Sequence, residues 1–499
     1  MLTTIRAAVS AAMLAGFYLL TLGTIGGLAA LAVWLIAEYP GAASGKFAFF
    51  VLALAAGVLV ALWKVIRAKP EPPDGYALQR KRAPQLFDSV DELAAQVGTR
   101  APDEIRLIGE VNAAVTEQAR LLGLVSGRRI MYIGVPLLQA FTVAQLHSVL
   151  AHELGHYSGN HTRLGALTYR GRLAIGQTIG QIGPRNVVGW LLRGYARLYL
   201  LVEQAVSRRQ EYEADQAAAL ITGRAATVSA LRELPVISAA WGFYLGAYVE
   251  SGWRHGYAPI DVFDGFRQLL AGRSEELAKL REQQAPAESS RWDSHPPIAD
   301  RIAAIEARPD SGVAVDERPA TVLVPEVARD PKRIQAELLD LGNRRILPWD
   351  EFTATSIGGN IQRHADVLFR AASRLSGRES GDLNLVFELL AAGRGQELVR
   401  VAAPHSAEAD RDELLIDFVD SAIAAAAVTS KAAAWRHSWS ERASLVDRSG
   451  TAVPTVELAT LACSPTGLAD ARARIAALGV RDTDGRQASS HEDTADAEV

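Results

Sequence analysis

The chain has one cysteine, Cys463, in 499 residues. A single thiol cannot form an internal disulfide, and it excludes a metal site built from several cysteines. Methionine is nearly as scarce: Met1, Met13 and Met131 are the only three. Neither charge sign dominates. A net charge of −4 gives no reason to expect nucleic acid as a partner. Lysine is sparse beside arginine, alanine, leucine and glycine, a composition typical of a GC-rich bacterial source. Charge is absent altogether from Ala7 to Ala37.

That uncharged run exceeds the roughly 20 residues a helix needs to cross a bilayer. Phe47 to Trp63 is a second such run, and Glu38, Tyr39, Pro40 and Gly41 form the turn between them. Together they predict two transmembrane helices, about 8–36 and 47–66, within an anchor covering 1–69. The first run is too long for the apolar part of a signal peptide, and a second span follows it. Arg6 precedes the first span, and Lys64, Arg67, Lys69, Arg80, Lys81 and Arg82 follow the second, whereas the intervening loop holds only Lys46. Basic flanks stay inside, so the expected localisation is the plasma membrane, with both ends and all later residues in the cytoplasm.

What the chain does carry is His152-Glu153-Leu154-Gly155-His156 inside SVLAHELGHYSGN. On a helix, residues i and i+4 share a face, so His152 and His156 can grip one metal ion with Glu153 beside it. This is the minimum equipment for zinc-assisted peptide hydrolysis. A catalytic zinc needs a third protein ligand. A third histidine would belong six residues after His156, behind a glycine. Gly159 is present, but Thr162 holds that place and His161 comes one residue early. That route also needs a methionine turn downstream, and every methionine lies upstream. The alternative is a carboxylate from a second helix. Glu203, Glu211 and Glu213 are candidates; Glu211 has Asp215 four residues later on the same face, placed to accept a ligand imidazole N–H. Ala214 and Ala217 to Ala219 would let the two helices approach closely.

The ordered set of two spans, NAAVT, SVLAHELGH, SRRQEYEAD and SHPP resembles the M48 membrane metallopeptidases, a group that includes bacterial HtpX-type proteases and CAAX prenyl proteases of the Ste24 type. The resemblance covers about residues 75–308. It implies His152, His156 and Glu211 as ligands of one Zn2+ per chain, Glu153 as catalytic acid/base and Asp215 as the partner that orients a ligand. It further implies His295 as a helper for the charged transition state and Asn112 as a contact for substrate backbone. Two positions depart from the family pattern: Ala114 replaces an aromatic, and Gln145 a glutamate.

Periodicity predicts a mainly α chain with a small β-sheet. Strands are expected near 104–116 and 128–135. Helices are expected at 84–98, 143–159, 207–221, 225–250 and 260–283, then at 330–341, 363–375, 383–392, 411–438 and 467–478. The resemblance implies a gluzincin-type peptidase domain over 70–309. Residues 310–481 read as a helical region of unknown role, and 482–499 as a disordered acidic tail. The expected protein is a membrane-anchored zinc endopeptidase acting on polypeptides, with membrane protein quality control as its setting. The competing expectation is an inactive zinc-containing scaffold that recruits partners through its C-terminal helices; an intact Glu153 argues against it, since a structural site needs no base.

Overall fold

The computed structural model describes residues 2–67, 74–120, 125–157, 175, 179, 187–283 and 296–480. His161, most of 164–186, His295 and the tail from Asp482 lie outside the described residues. The protein is mostly helical with small sheets. The chain divides into two compact units, Met1–Trp241 with Ser274–Asp340, and Gly242–Arg273 with Leu341–Val499.

The first unit opens with α1 (Leu2–Glu38) and α2 (Ala42–Arg67). Their segments Ala12–Glu38 and Ala42–Val60 are long and apolar enough to cross a membrane. Small residues let them pack closely, with Ala32, Ala48 and Val51 buried between them. Leu19, Val33, Phe49 and Phe50 point outward, each more than 60% exposed. Next come β1 (Tyr76–Ala77), α3 (Pro84–Val97), β2 (Glu104–Ile108), β3 (Ala113–Arg120) and β4 (Val125–Gly134). The four strands form one sheet in the order β1-β2-β4-β3, with β2 and β4 parallel and the outer pairs antiparallel. The run expected as one strand over 104–116 is therefore two, broken at 109–112. Gly134 permits the break: a side chain there would meet the Glu110 carbonyl at 2.1 Å, and its amide donates to the Asn112 carbonyl at 2.8 Å.

After α4 (Val135–Ala140) comes α5 (Val143–Gly155), which carries the histidine motif. Its start is firmly capped. Thr142 and Gln145 exchange hydrogen bonds in a capping box, and Gln145 also donates to Ser229 Oγ at 2.8 Å. Gln145, a departure from the family glutamate, thus caps the helix. The Val143 and Ala144 amides donate to the Arg318 and Asp316 carbonyls, so the chain beyond Pro309 closes over the first turn of this helix.

The helix expected at 207–221 is the end of a much longer one, α6 (Val187–Thr222). No proline interrupts it, and the polar residues near Ser207 do not stop it. Leu192, Ala196 and Tyr199 on one face of α6 pack with Leu14 and Phe17 of α1 and Val58 of α2. The Tyr195 hydroxyl donates to the Met13 carbonyl at 2.8 Å. Further along, Gly155 of α5 meets Ala214 of α6 so closely that a Cβ on Gly155 would lie 3.2 Å from Ala214 Cα. Gly155→Leu is therefore expected to push the helices apart. Overpacking of this kind costs about 1–3 kcal/mol, and both the thermal midpoint and bound metal should fall. An unchanged midpoint and metal content would contradict the close approach.

There follow α7 (Arg224–Tyr244), a π-turn at Leu245–Val249, α8 (Glu250–Arg254), β5 (Tyr257–Pro259), α9 (Val262–Gly272), α10 (Ser274–Glu282), α11 (Ile298–Glu306), α12 (Glu326–Arg329) and α13 (Pro331–Leu338). In the second unit β5 pairs in parallel with β6 (Arg345–Leu347). Its core lies between α14 (Trp349–Ser376), α15 (Leu383–Ala391), α16 (Gly395–Ala402), α17 (Arg411–Thr429), α18 (Thr455–Cys463) and α19 (Leu468–Ala477). Phe369, Phe387, Val399, Ile423, Ala459 and Ile475 are buried there. The helix expected at 411–438 stops at Thr429. Lys431 turns the chain in the left-handed region, at φ 56°, into β7 (Ala433–Arg436), which pairs antiparallel with β8 (Ser444–Asp447).

Candidate metal centre

His152 and His156 project from the last turn of α5, and their Nε2 atoms stand 3.1 Å apart. The α6 helix crosses opposite and presents Glu211, which is only 3% exposed. Its Oε2 lies 3.6 Å from His152 Nε2 and its Oε1 3.6 Å from His156 Nε2. For a tetrahedral ion with bonds of about 2.0–2.1 Å, ligand atoms should be roughly 3.3–3.4 Å apart. The observed separations bracket that spacing. Glu213 instead pairs with Arg209 on the exposed side of α6, at 2.9 Å, and the Glu203 side chain lies outside the described residues. The Glu153 carboxylate belongs to the same cluster: its donor atom and those of the two histidines all lie within 4.8 Å of one another.

Orientation of the imidazole is set from behind. Asp215 Oδ1 lies 2.9 Å from His152 Nδ1. A proton on Nδ1 shared with that carboxylate leaves the Nε2 lone pair facing the ligand cluster. Asp215 is itself held by Arg301 of α11, through Nε to Oδ2 at 2.8 Å and Nη2 to Oδ1 at 2.6 Å. A third guanidinium nitrogen, Nη1, lies 3.6 Å from Glu211 Oε2. Such a fork fixes direction as well as charge.

The electrostatics favour a bound cation. Three carboxylates, Glu153, Glu211 and Asp215, face one guanidinium, an excess of negative charge that a proton on His152 relieves in part and that a divalent ion displacing that proton would balance. Burial opposes a charge on His152, yet the Asp215 and Glu211 carboxylates beside it outweigh that and push the imidazole up to about 9. Burial likewise opposes ionisation of Asp215, but hydrogen bonds from Arg301 and His152 hold its carboxyl below the usual range. Burial would depress Arg301, and the Asp215 carboxylate more than reverses that. The donor set, its spacing and its charge all fit a divalent metal.

Arg301 escapes a reading of the sequence alone. The run IADRIAAIEA looks like an ordinary helix of charged and apolar residues. Its signal is positional: Ile298, Ile302 and Ile305 mark the buried stripe, and Arg301 lies on that stripe rather than opposite it. A charge on a buried face implies a buried partner.

A cavity of about 300 Å³ adjoins the centre. His152, Glu153, Glu211 and Arg301 line one side, and Thr227, Ala230, Leu231 and Leu234 present one face of α7 on another. Asn112, with Val111 and Ala113, lines it at the start of β3. Asn112 is thus at the same cleft as the histidine motif, whereas His295 lies outside the described residues; its neighbour Pro296 is part of the cavity wall.

The profile of peptidase family M48 matches residues 80–309. Among curated proteins, the chain is 30% identical over 245 residues to "Protease HtpX" of Pseudomonas putida strain W619, covering 45% of this chain and 71% of that one. It is 25% identical over 282 residues to "Protease HtpX homolog" of Gemmatimonas aurantiaca, covering 53% and 90%. Against "Protease HtpX homolog 1" of Streptomyces coelicolor it is 29% identical over 178 residues, 31% of this chain and 55% of the other. No solved structure gives a significant match. The matched residues span the motif helix, the glutamate helix and the arginine helix that meet at the centre, and the chain belongs to peptidase family M48.

Proposed function

We propose that this protein is a membrane-anchored zinc endopeptidase that hydrolyses internal peptide bonds at the cytoplasmic face of a bacterial plasma membrane. The observation that carries the reading is the convergence of His152, His156 and Glu211 beside an open cleft that also holds Glu153. Two histidines on one helix and a glutamate on the next are the gluzincin arrangement. A closed structural site would need neither the cleft nor a base, so the scaffold reading gains nothing from this geometry.

His152, His156 and Glu211 would hold one zinc ion, which when bound supplies a Lewis acid and lowers the pKa of its water toward ~7. Glu153 takes a proton from the attacking water on its carboxylate and passes it to the departing amine nitrogen. Asp215 keeps the His152 tautomer, and Arg301 keeps Asp215 charged and in place. The edge of β3 behind Asn112 aligns the substrate backbone by strand addition. His295 is assigned as a donor to the oxygen that becomes negative, a contribution worth about 2.7–4 kcal/mol in comparable sites. The α1–α2 hairpin supplies the bilayer anchor, the relatives named as proteases support polypeptide substrates, and an anchored site of this kind would meet damaged membrane proteins.

The test uses the full chain in detergent with casein. Chelation should abolish cleavage, and stoichiometric zinc should restore it, with elemental analysis giving one zinc per chain. Cleavage that survives complete removal of metal would overturn the reading. So would a zinc-loaded protein that cleaves no unfolded substrate.

A further inference from the structure

We propose that Tyr157 sets where the substrate-binding edge of β3 ends, because its phenol occupies the backbone acceptor that an incoming strand would use next. The inference rests on the peptidase reading above.

Among the described residues β3 is an edge strand, paired only with β4. The Gly134 amide donates to the Asn112 carbonyl, so 112 and 134 form a hydrogen-bonded pair. In an antiparallel ladder such pairs alternate with pairs whose amides and carbonyls point away from the partner. With Ala113 opposite Ile133 and Val115 opposite Met131, Ala113 and Val115 turn their backbone groups to the open edge. Ala113 lines the cavity beside Glu153. Along this edge an incoming strand meets the N–H and C=O of Ala113, then the N–H of Val115. Among the described residues no backbone group takes these three. The fourth group is already taken: the Tyr157 hydroxyl donates to the Val115 carbonyl at 2.7 Å.

The phenol is held for this contact. Tyr157 directly follows the ligand His156, and its amide bonds to the Leu154 carbonyl. Its own carbonyl accepts from Thr99 Oγ1 at 2.8 Å. The Arg129 guanidinium stacks on its ring, 4.5 Å from the centroid. A substrate therefore gains two backbone bonds at Ala113 and only one at Val115. The site grips a short stretch of extended chain on that side, whatever its side chains, and the ladder is interrupted at the Val115 carbonyl.

The experiment compares wild type with Tyr157→Phe, which keeps the ring under Arg129 and removes only the hydroxyl. Both are used as full-length, zinc-loaded protein in detergent. The probes are internally quenched peptides sharing one casein cleavage site, lengthened one residue at a time on either side. In wild type, KM should stop improving on one side at the length that reaches Val115. In Tyr157→Phe it should improve for one further residue, by about two- to tenfold for the longer peptides, the usual net worth of one hydrogen bond. The shortest peptides and kcat should not change. Parallel length profiles would overturn the proposal. A uniform loss at all lengths with a lower thermal midpoint would also overturn it, since Tyr157 would then only brace β3 against α5. If wild type cleaves no peptide at all, the peptidase reading fails first and this inference falls with it.

Discussion

Glu153→Gln should leave one metal bound per chain and lower kcat on casein by about 10²–10⁴, the contribution typical of a positioned general acid–base group. The substitution keeps the size and hydrogen-bonding reach of the side chain but removes its ability to accept a proton. Because the proposed ligands are His152, His156 and Glu211, metal content should not follow activity. That separation is the informative part. Loss of activity together with loss of metal would mean that Glu153, which shares the cluster with the two histidines, is a ligand rather than the base. An unchanged kcat would remove Glu153 from the chemistry altogether.

Arg301→Leu should be the most damaging substitution outside the ligands. It strands the Asp215 carboxylate, 2% exposed, without its two guanidinium bonds. Removing one partner of a buried ion pair costs about 3–5 kcal/mol, because the other charge remains desolvated. Metal affinity should fall about 10–100-fold, as it does when a group that orients a ligand is lost. The sign of the pH dependence follows from Asp215. Its folded-state carboxyl lies below the usual range, so in the wild type its stabilising contribution is present above the unfolded pKa and is lost as pH falls through the folded one. In Arg301→Leu that depression is relieved, and the variant should be closest to wild type in acid and furthest from it near neutrality. Chemical denaturation across pH checks this. A constant difference between the two proteins would show that Arg301 acts by packing alone. Adding Asp215→Asn to the variant should recover part of the stability, since no charge is then stranded, and no recovery would contradict the pairing.

Several parts of this protein were legible as text. The uncharged run from Ala7 to Ala37 and the apolar run from Phe47 to Trp63 could only be long helices, and α1 and α2 are those helices. The i, i+4 histidines needed a helix to share a face, and α5 supplies it. Glu211 stood out among nearby glutamates because Asp215 repeats its face one turn later; Glu211 faces Nε2 of both histidines, and Asp215 takes Nδ1 of His152. These features are local: each depends on chain spacing within one helix, which the sequence states directly. The break at 109–112 was hidden because its cause is Gly134, more than twenty residues away. The end of the helix at Thr429 was hidden because an apolar run suits a buried helix and a buried strand equally well.

The sequence by itself determined the candidate donors: which residue types, on which helices, and how far apart along them. Tertiary structure decided what stands behind and beside those donors. Arg301 comes from a helix some ninety residues beyond Glu211, and Tyr157 acquires its meaning only when β3 lies against the end of α5. The physical reason is that a ligand face follows from helical periodicity within one element, whereas the partner of a buried charge or of an open strand edge is whichever group packing brings within hydrogen-bond reach.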